Sequence, residues 1–160
     1  MNKRFSSQLP PGVESAIGRF IAYFSLLEEW LRGVILEIPN IGAPAGEILA
    51  SQLSFQALLN AFGAIVHEYC DDADVLRLTD DTIGEIHRIN EVRNQFVHSL
   101  WLRSDESPRR FAVCAKGRAN RRKGFQNNFN RLKKRDIIKR CDEIAALTEK
   151  VRAIYKMVIT

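Results

Sequence analysis

Within Arg93-Asn94-Gln95-Phe96-Val97-His98, an arginine, an amide and an imidazole stand close together in a chain of 160 residues. An imidazole gives or takes a proton near neutral pH. A guanidinium presents a planar fork that bonds two oxygens of a phosphate or carboxylate at once. Asn94 and His98 are four residues apart, which lets their side chains touch on a helix. The combination suits holding an anion beside a proton-transfer group.

The run around these residues has the spacing of an amphipathic helix, with apolar residues at Ile83, Ile86, Ile89, Val92, Phe96, Val97 and Leu100. With Ile83 at zero and about 100° per residue, Arg93 falls near 280°, between Ile89 near 240° and Val97 near 320°. Arg93 is therefore within the apolar stripe. A desolvated guanidinium is costly unless an acceptor meets it, so a buried acid, a second chain or a phosphate should face it. His87, Glu91, Asn94 and His98 form a polar ribbon between about 20° and 80° on the same wheel. Arg93 and His98 thus look in different directions. They can meet if the helix bends, if the arginine curls round, or if two such helices line one cleft of a two-fold dimer.

The elements that must position this run follow from periodicity. Apolar residues from Val13 to Ile38 predict a first helix stopped by Pro39, and Ile41–Gly46 is a Gly/Pro loop. A short helix fits Ile48–Leu53, and Phe55–Tyr69 carries another. Thr79 or Asp80 is the expected cap of the helix that reaches about Leu100. Leu100–Arg103 and Phe111–Ala115 read as a β-hairpin. A basic, Asn-rich stretch runs from Lys116 to Arg135, and Asp136 is the expected cap of a last helix through Val158. The expectation is an all-α chain: a four- to five-helix up-down bundle with a small β-hairpin-like insert before the last helix. Residues 1–160 read as a single domain, with 1–12 as a flexible N-terminus and 101–135 as a basic insert.

Glu28 lies inside the inner stripe of the first helix and is a candidate supporting acid for Arg93. Arg32, four residues on, offers Glu28 a local partner instead.

Charge is divided along the chain. Residues 1–100 hold 7 Lys/Arg against 13 Asp/Glu, and residues 101–160 hold 17 against 6. The basic third suits a polyanion such as RNA or DNA, or else pairs with an acidic protein surface. The three cysteines, Cys70, Cys114 and Cys141, are widely spaced and contain no Cys-x-x-Cys pair. Neither a disulfide framework nor a zinc site is expected, and a reducing cytoplasm is the natural setting. No apolar run approaches the ~18 residues of a membrane span. Met1–Pro10 lacks the apolar core of a signal peptide.

Arg93-Asn94-x-x-x-His98, late in a helix that follows a long first helix and precedes another, resembles the motif of the HEPN superfamily. That motif is an arginine, a polar residue beside it, and a histidine after four to six intervening residues. Ser99 stands where the family often has a glycine. The architecture corresponds over nearly the whole chain, the specific residues only over 93–98. The resemblance implies a metal-independent endoribonuclease, acting as a homodimer with both motifs in one interface cleft. It also implies a toxin or phage-defence setting, with an antitoxin protein, in some pairs a nucleotidyltransferase, as a further partner. Other members of the family only bind or assemble.

On that reading the 2′-hydroxyl of RNA attacks the neighbouring phosphate, leaving a 2′,3′-cyclic phosphate and a 5′-hydroxyl. His98 transfers protons, Arg93 stabilises the phosphorane-like charge, and Asn94 supports one or the other. Neither cofactor nor metal is required. Arg118, Arg121, Arg122 and Lys123 are the candidate substrate-binding cations, with Phe125 and Phe129 interleaved among asparagines. Two plainer readings stand beside it. Arg93 could be a structural ion-pair partner, and His98 a surface group at the helix C-terminus. His87, Glu91 and His98 also have a spacing that a metal could use, although solvated helix faces commonly look the same. His67-Glu68 lacks the second histidine of a zincin, and there is no Gly-rich phosphate loop or nucleophile elbow.

Overall fold

A computed structural model describes residues 5–6, 9–42, 44–104, 112–120 and 124–160. Among the described residues the chain forms five helices, with a small antiparallel sheet inserted before the last, consistent with an all-α bundle. The helices are α1 (Val13–Glu37), α2 (Ala45–Ser51), α3 (Phe55–Tyr69), α4 (Ala73–His98) and α5 (Lys134–Ile159). The strands are β1 (Phe5–Ser6), β2 (Leu100–Ser104), β3 (Ala112–Asn120) and β4 (Gly124–Leu132), paired antiparallel in the order β1-β2-β3-β4. Among the described residues, no helix is long and apolar enough to cross a membrane.

The chain divides into two compact units, and α1, α4 and α5 contribute a part to each. One comprises Met1–Ala22 and Ile89–Asp142, the other Tyr23–Arg88 and Glu143–Thr160. The first unit contains the sheet. Its buried core is Val13, Phe20, Ile89, Phe96, Val113, Cys114, Ile137 and Cys141. Gly12 opens α1 at φ 76, a left-handed conformation that side chains rarely adopt, and the Lys134 side chain occupies the space beside it. Burial pushes the Cys141 thiol upward, an effect partly offset by the charge of Arg19.

The second unit is built on Leu27, Leu31, Leu58, Leu59, Phe62, Ile86, Ile144 and Ile154. Its helix ends carry recognisable caps. Asn40 at φ 53 closes α1 in a Schellman turn, with Asn40 N–H donating to Glu37 O at 3.1 Å and Ile41 N–H to Leu36 O at 2.9 Å. Ser54 caps α3 by accepting from Ala57 N–H at 3.2 Å.

Several boundaries differ from the sequence expectation, each for a physical reason. The helix carrying Arg93 starts at Ala73, not at Thr79 or Asp80. Asp72 is its cap: Oδ1 accepts from Asp74 N–H at 2.8 Å and Val75 N–H at 3.2 Å. Thr79 is fully buried inside the helix, its hydroxyl donating to Val75 O at 2.8 Å, which is how a threonine is satisfied in a helix interior. The helix ends at His98, and Leu100 already belongs to β2. The short second helix begins at Ala45, three residues before its expected start, and ends at Ser51. Asp136 serves the last helix from within its first turn, accepting from Lys133 N–H at 2.9 Å, the return half of a capping box.

The largest differences lie in the insert. The expected pairing of the segment after Leu100 with the one ending near Ala115 is present, in the register Leu100↔Ala115 and Trp101↔Cys114. Phe111, placed in that hairpin, lies outside the described residues. Within the basic stretch, β3 and β4 pair antiparallel from Ala112↔Leu132 to Asn120↔Gly124. Within the N-terminal segment read as flexible, Phe5 pairs with Ser104 and Ser6 with Arg103.

Candidate functional site

The last turn of α4 is fixed from two sides within the sheet-bearing unit. The buried Phe96 ring lies 4.7 Å from that of Phe20 and meets Trp101 edge-on at 5.2 Å. Such aromatic pairs add about 0.5–1.5 kcal/mol beyond the area they bury. The last carbonyls of a helix lack intrahelical donors. Here Trp101 Nε1–H donates to Phe96 O at 2.8 Å, and Cys114 Sγ–H to Gln95 O at 3.8 Å. Trp101 and Cys114 face each other across β2 and β3, so one cross-strand pair grips two consecutive carbonyls. His98 follows two residues later, as the final residue of the helix.

Arg93 is half-buried rather than sealed in an apolar stripe. Ile86 and Ile89 are buried, but Val97 is 46% and Leu100 64% exposed. The inner face of the helix turns towards Phe96 as the helix ends, and this opens the wheel position of Arg93 to solvent. Its Nη1–H donates to Asn94 Oδ1 at 3.1 Å. The guanidinium is thereby joined to Asn94, a member of the polar ribbon that ends in His98. His98 itself is exposed.

Glu28 Oε1 accepts from Arg32 Nη2 at 2.6 Å, while Glu29 takes Arg32 Nη1 at 2.5 Å. This is the local i,i+4 partner that the sequence offered Glu28, in the order that favours helices. Arg118 stands in β3 opposite Gln126. Arg121, Arg122 and Lys123 lie outside the described residues. Among the described residues, no three His, Cys, Asp or Glu side chains gather as a metal-ligand set. His87 lies 3.4 Å from Gln56 through Nε2, and His67 Nε2 is 3.0 Å from Asp80 Oδ1.

The residues that the sequence left unassigned are Trp101 and Cys114. The signal for Trp101 was present, an aromatic with an N–H donor directly after a helix end. Cys114 had none, because only strand register brings it opposite Trp101. Together the groups form a solvent-accessible end of a helix that carries a fixed cation, an amide bonded to it and an imidazole one turn on. No protein-family model matches the chain, and comparison with curated proteins and with solved structures finds no match either.

Proposed function

We propose that the chain is a metal-independent endoribonuclease of the HEPN type, with Arg93, Asn94 and His98 as its site. The observation that carries this reading is the Arg93–Asn94 hydrogen bond, which draws the guanidinium towards the helix face bearing His98. A phosphate held by Arg93 would then lie close to an accessible imidazole. With the Asn94 oxygen occupied by Arg93, its N–H groups remain the natural donors to a phosphate oxygen. His98 takes the proton of the 2′-hydroxyl or gives one to the departing 5′-oxygen; a second protomer supplies the other histidine. Exposed Val97 and Leu100 beside the motif support a second copy packing at this helix end. The biological setting that fits is a toxin or phage-defence nuclease held in check by an antitoxin protein.

Incubation with RNA in chelator tests the assignment, with the native chain, Arg93→Ala and His98→Ala compared. Cutting by the native chain alone is expected. Equal cutting by all three sinks the assignment, and loss of native cutting in chelator points instead to metal chemistry. A second reading, a non-catalytic binding module of the same fold, is favoured by the same exposed Val97 and Leu100. It predicts RNA or protein binding with no cut products.

A further inference from the structure

A four-stranded open sheet has two edges, and here they are unequal. β1 is 2 residues long, whereas β4 is 9. Among the described residues no strand pairs with β4 on the side away from β3. Alternate residues of an antiparallel edge strand direct both backbone N–H and C=O outward, so β4 offers about four or five such residues. Exposed edges in folded proteins are usually blunted by prolines, inward charges or shortness. Gly124–Leu132 contains no proline and no acidic residue, and its only charge is Arg131, near the base. It is therefore a backbone template for strand addition.

Charge decides the occupant. Residues 112–135 hold nine Lys/Arg and no Asp/Glu. Lys116 and Arg118 occupy β3 opposite Asn128 and Gln126, and Lys134 and Arg135 are exposed just beyond β4. Pairing of β4 with that of a second copy would set two such cationic hairpins side by side, and like charges in register are unfavourable. RNA answers the charge but has no regular 3.4 Å repeat of amide donors and acceptors to match the edge. An extended acidic peptide answers both.

We propose that the edge of β4 away from β3, with which no described strand pairs, is a docking site for an extended acidic segment of a partner protein, which adds to the sheet as a further strand. Backbone pairing supplies register, and the flanking cations supply selectivity for Asp/Glu-rich sequence. This site is separate from the end of α4, and the proposal stands whether or not the chain cuts RNA.

Fluorescence anisotropy on the full chain tests it, using a labelled peptide of alternating Glu and Val about as long as β4. Four competitors are compared: the unlabelled peptide, the same peptide N-methylated at every residue so that both edges are blocked, a Lys-Val peptide of the same length, and oligouridylate. The unlabelled peptide should compete, the fully N-methylated peptide should bind at least about tenfold more weakly because charge is kept while pairing is lost, and the β4 amides should gain hydrogen-exchange protection when the Glu-Val peptide binds. The proposal is overturned if the fully N-methylated peptide competes equally, if the Lys-Val peptide binds as well as the Glu-Val one, or if no peptide binds. It is likewise overturned, in favour of an RNA surface, if oligouridylate alone protects β4.

Discussion

Arg93 is held by its neighbour and His98 by the end of its helix, and the two constraints have different consequences when broken. Asn94→Ala removes the oxygen that turns the guanidinium towards the His98 face. With the cation present but misplaced, kcat for RNA cleavage should fall by about 10²-fold while the urea midpoint stays where it was. An unchanged kcat would mean that the hydrogen bond does not orient the site. Trp101→Phe keeps the ring against Phe96 but deletes the donor to the Phe96 carbonyl. Leaving that carbonyl unpaired should cost about 1–3 kcal/mol in urea unfolding, together with faster amide exchange in the last turn of α4. At this scale the sequence was informative about residue type. The wheel marked Arg93 as out of pattern and the family resemblance joined it to Asn94 and His98, yet the wheel set Arg93 deeper than its half-buried position because it treats both ends of a helix as equally buried. The Glu28–Arg32 pair was foreseen as an alternative, since i,i+4 pairing is local.

The helices were legible from apolar periodicity, and their ends were less so wherever polar residues act inside. Thr79 and Thr82 are fully buried, so two residues that look like surface or cap lie in the interior of α4. Asp72 caps α4, so Asp72→Ala should cost about 1 kcal/mol and unprotect the amides of the first turn of α4, measured by hydrogen exchange. Protection unchanged there would return the helix start to Thr79. The hydrogen bond from Tyr155 to Glu37 joins α5 to the end of α1 within the second unit, and it raises the tyrosine above its ordinary value of 10.0, with burial and the carboxylate charge adding to the effect. A raised folded value favours the protonated phenol. Its contribution is full below pH 10.0 and is lost as the pH climbs through the raised value. Tyr155→Phe should therefore lower stability at pH 7 and differ progressively less from the native chain in alkaline urea titrations. A gap that persists or widens above pH 10.0 would contradict this account. β4 was not legible at all: GFQNNFNRL lacks the β-branched residues that announce a strand, and its pairing depends on β3 beside it.

On the scale of the molecule, charge separates the acidic first hundred residues from the basic remainder. The helices before the insert provide much of the core and the candidate site, and the insert gathers the cations. This division could be read directly from charge counts, because charge is additive along a chain. The sheet order could not, because strand neighbours are chosen by tertiary pairing. The central claim concerns the chemistry at the end of α4, and the ends of the cut RNA test it most directly. A labelled single-stranded RNA incubated in chelator with the native chain should give 2′,3′-cyclic phosphate and 5′-hydroxyl termini. Those products should vanish with Arg93→Ala, with His98→Ala, and with a 2′-deoxy residue at the cut position. Termini bearing a 3′-hydroxyl and 5′-phosphate, or cyclic products undiminished in either variant, would contradict it.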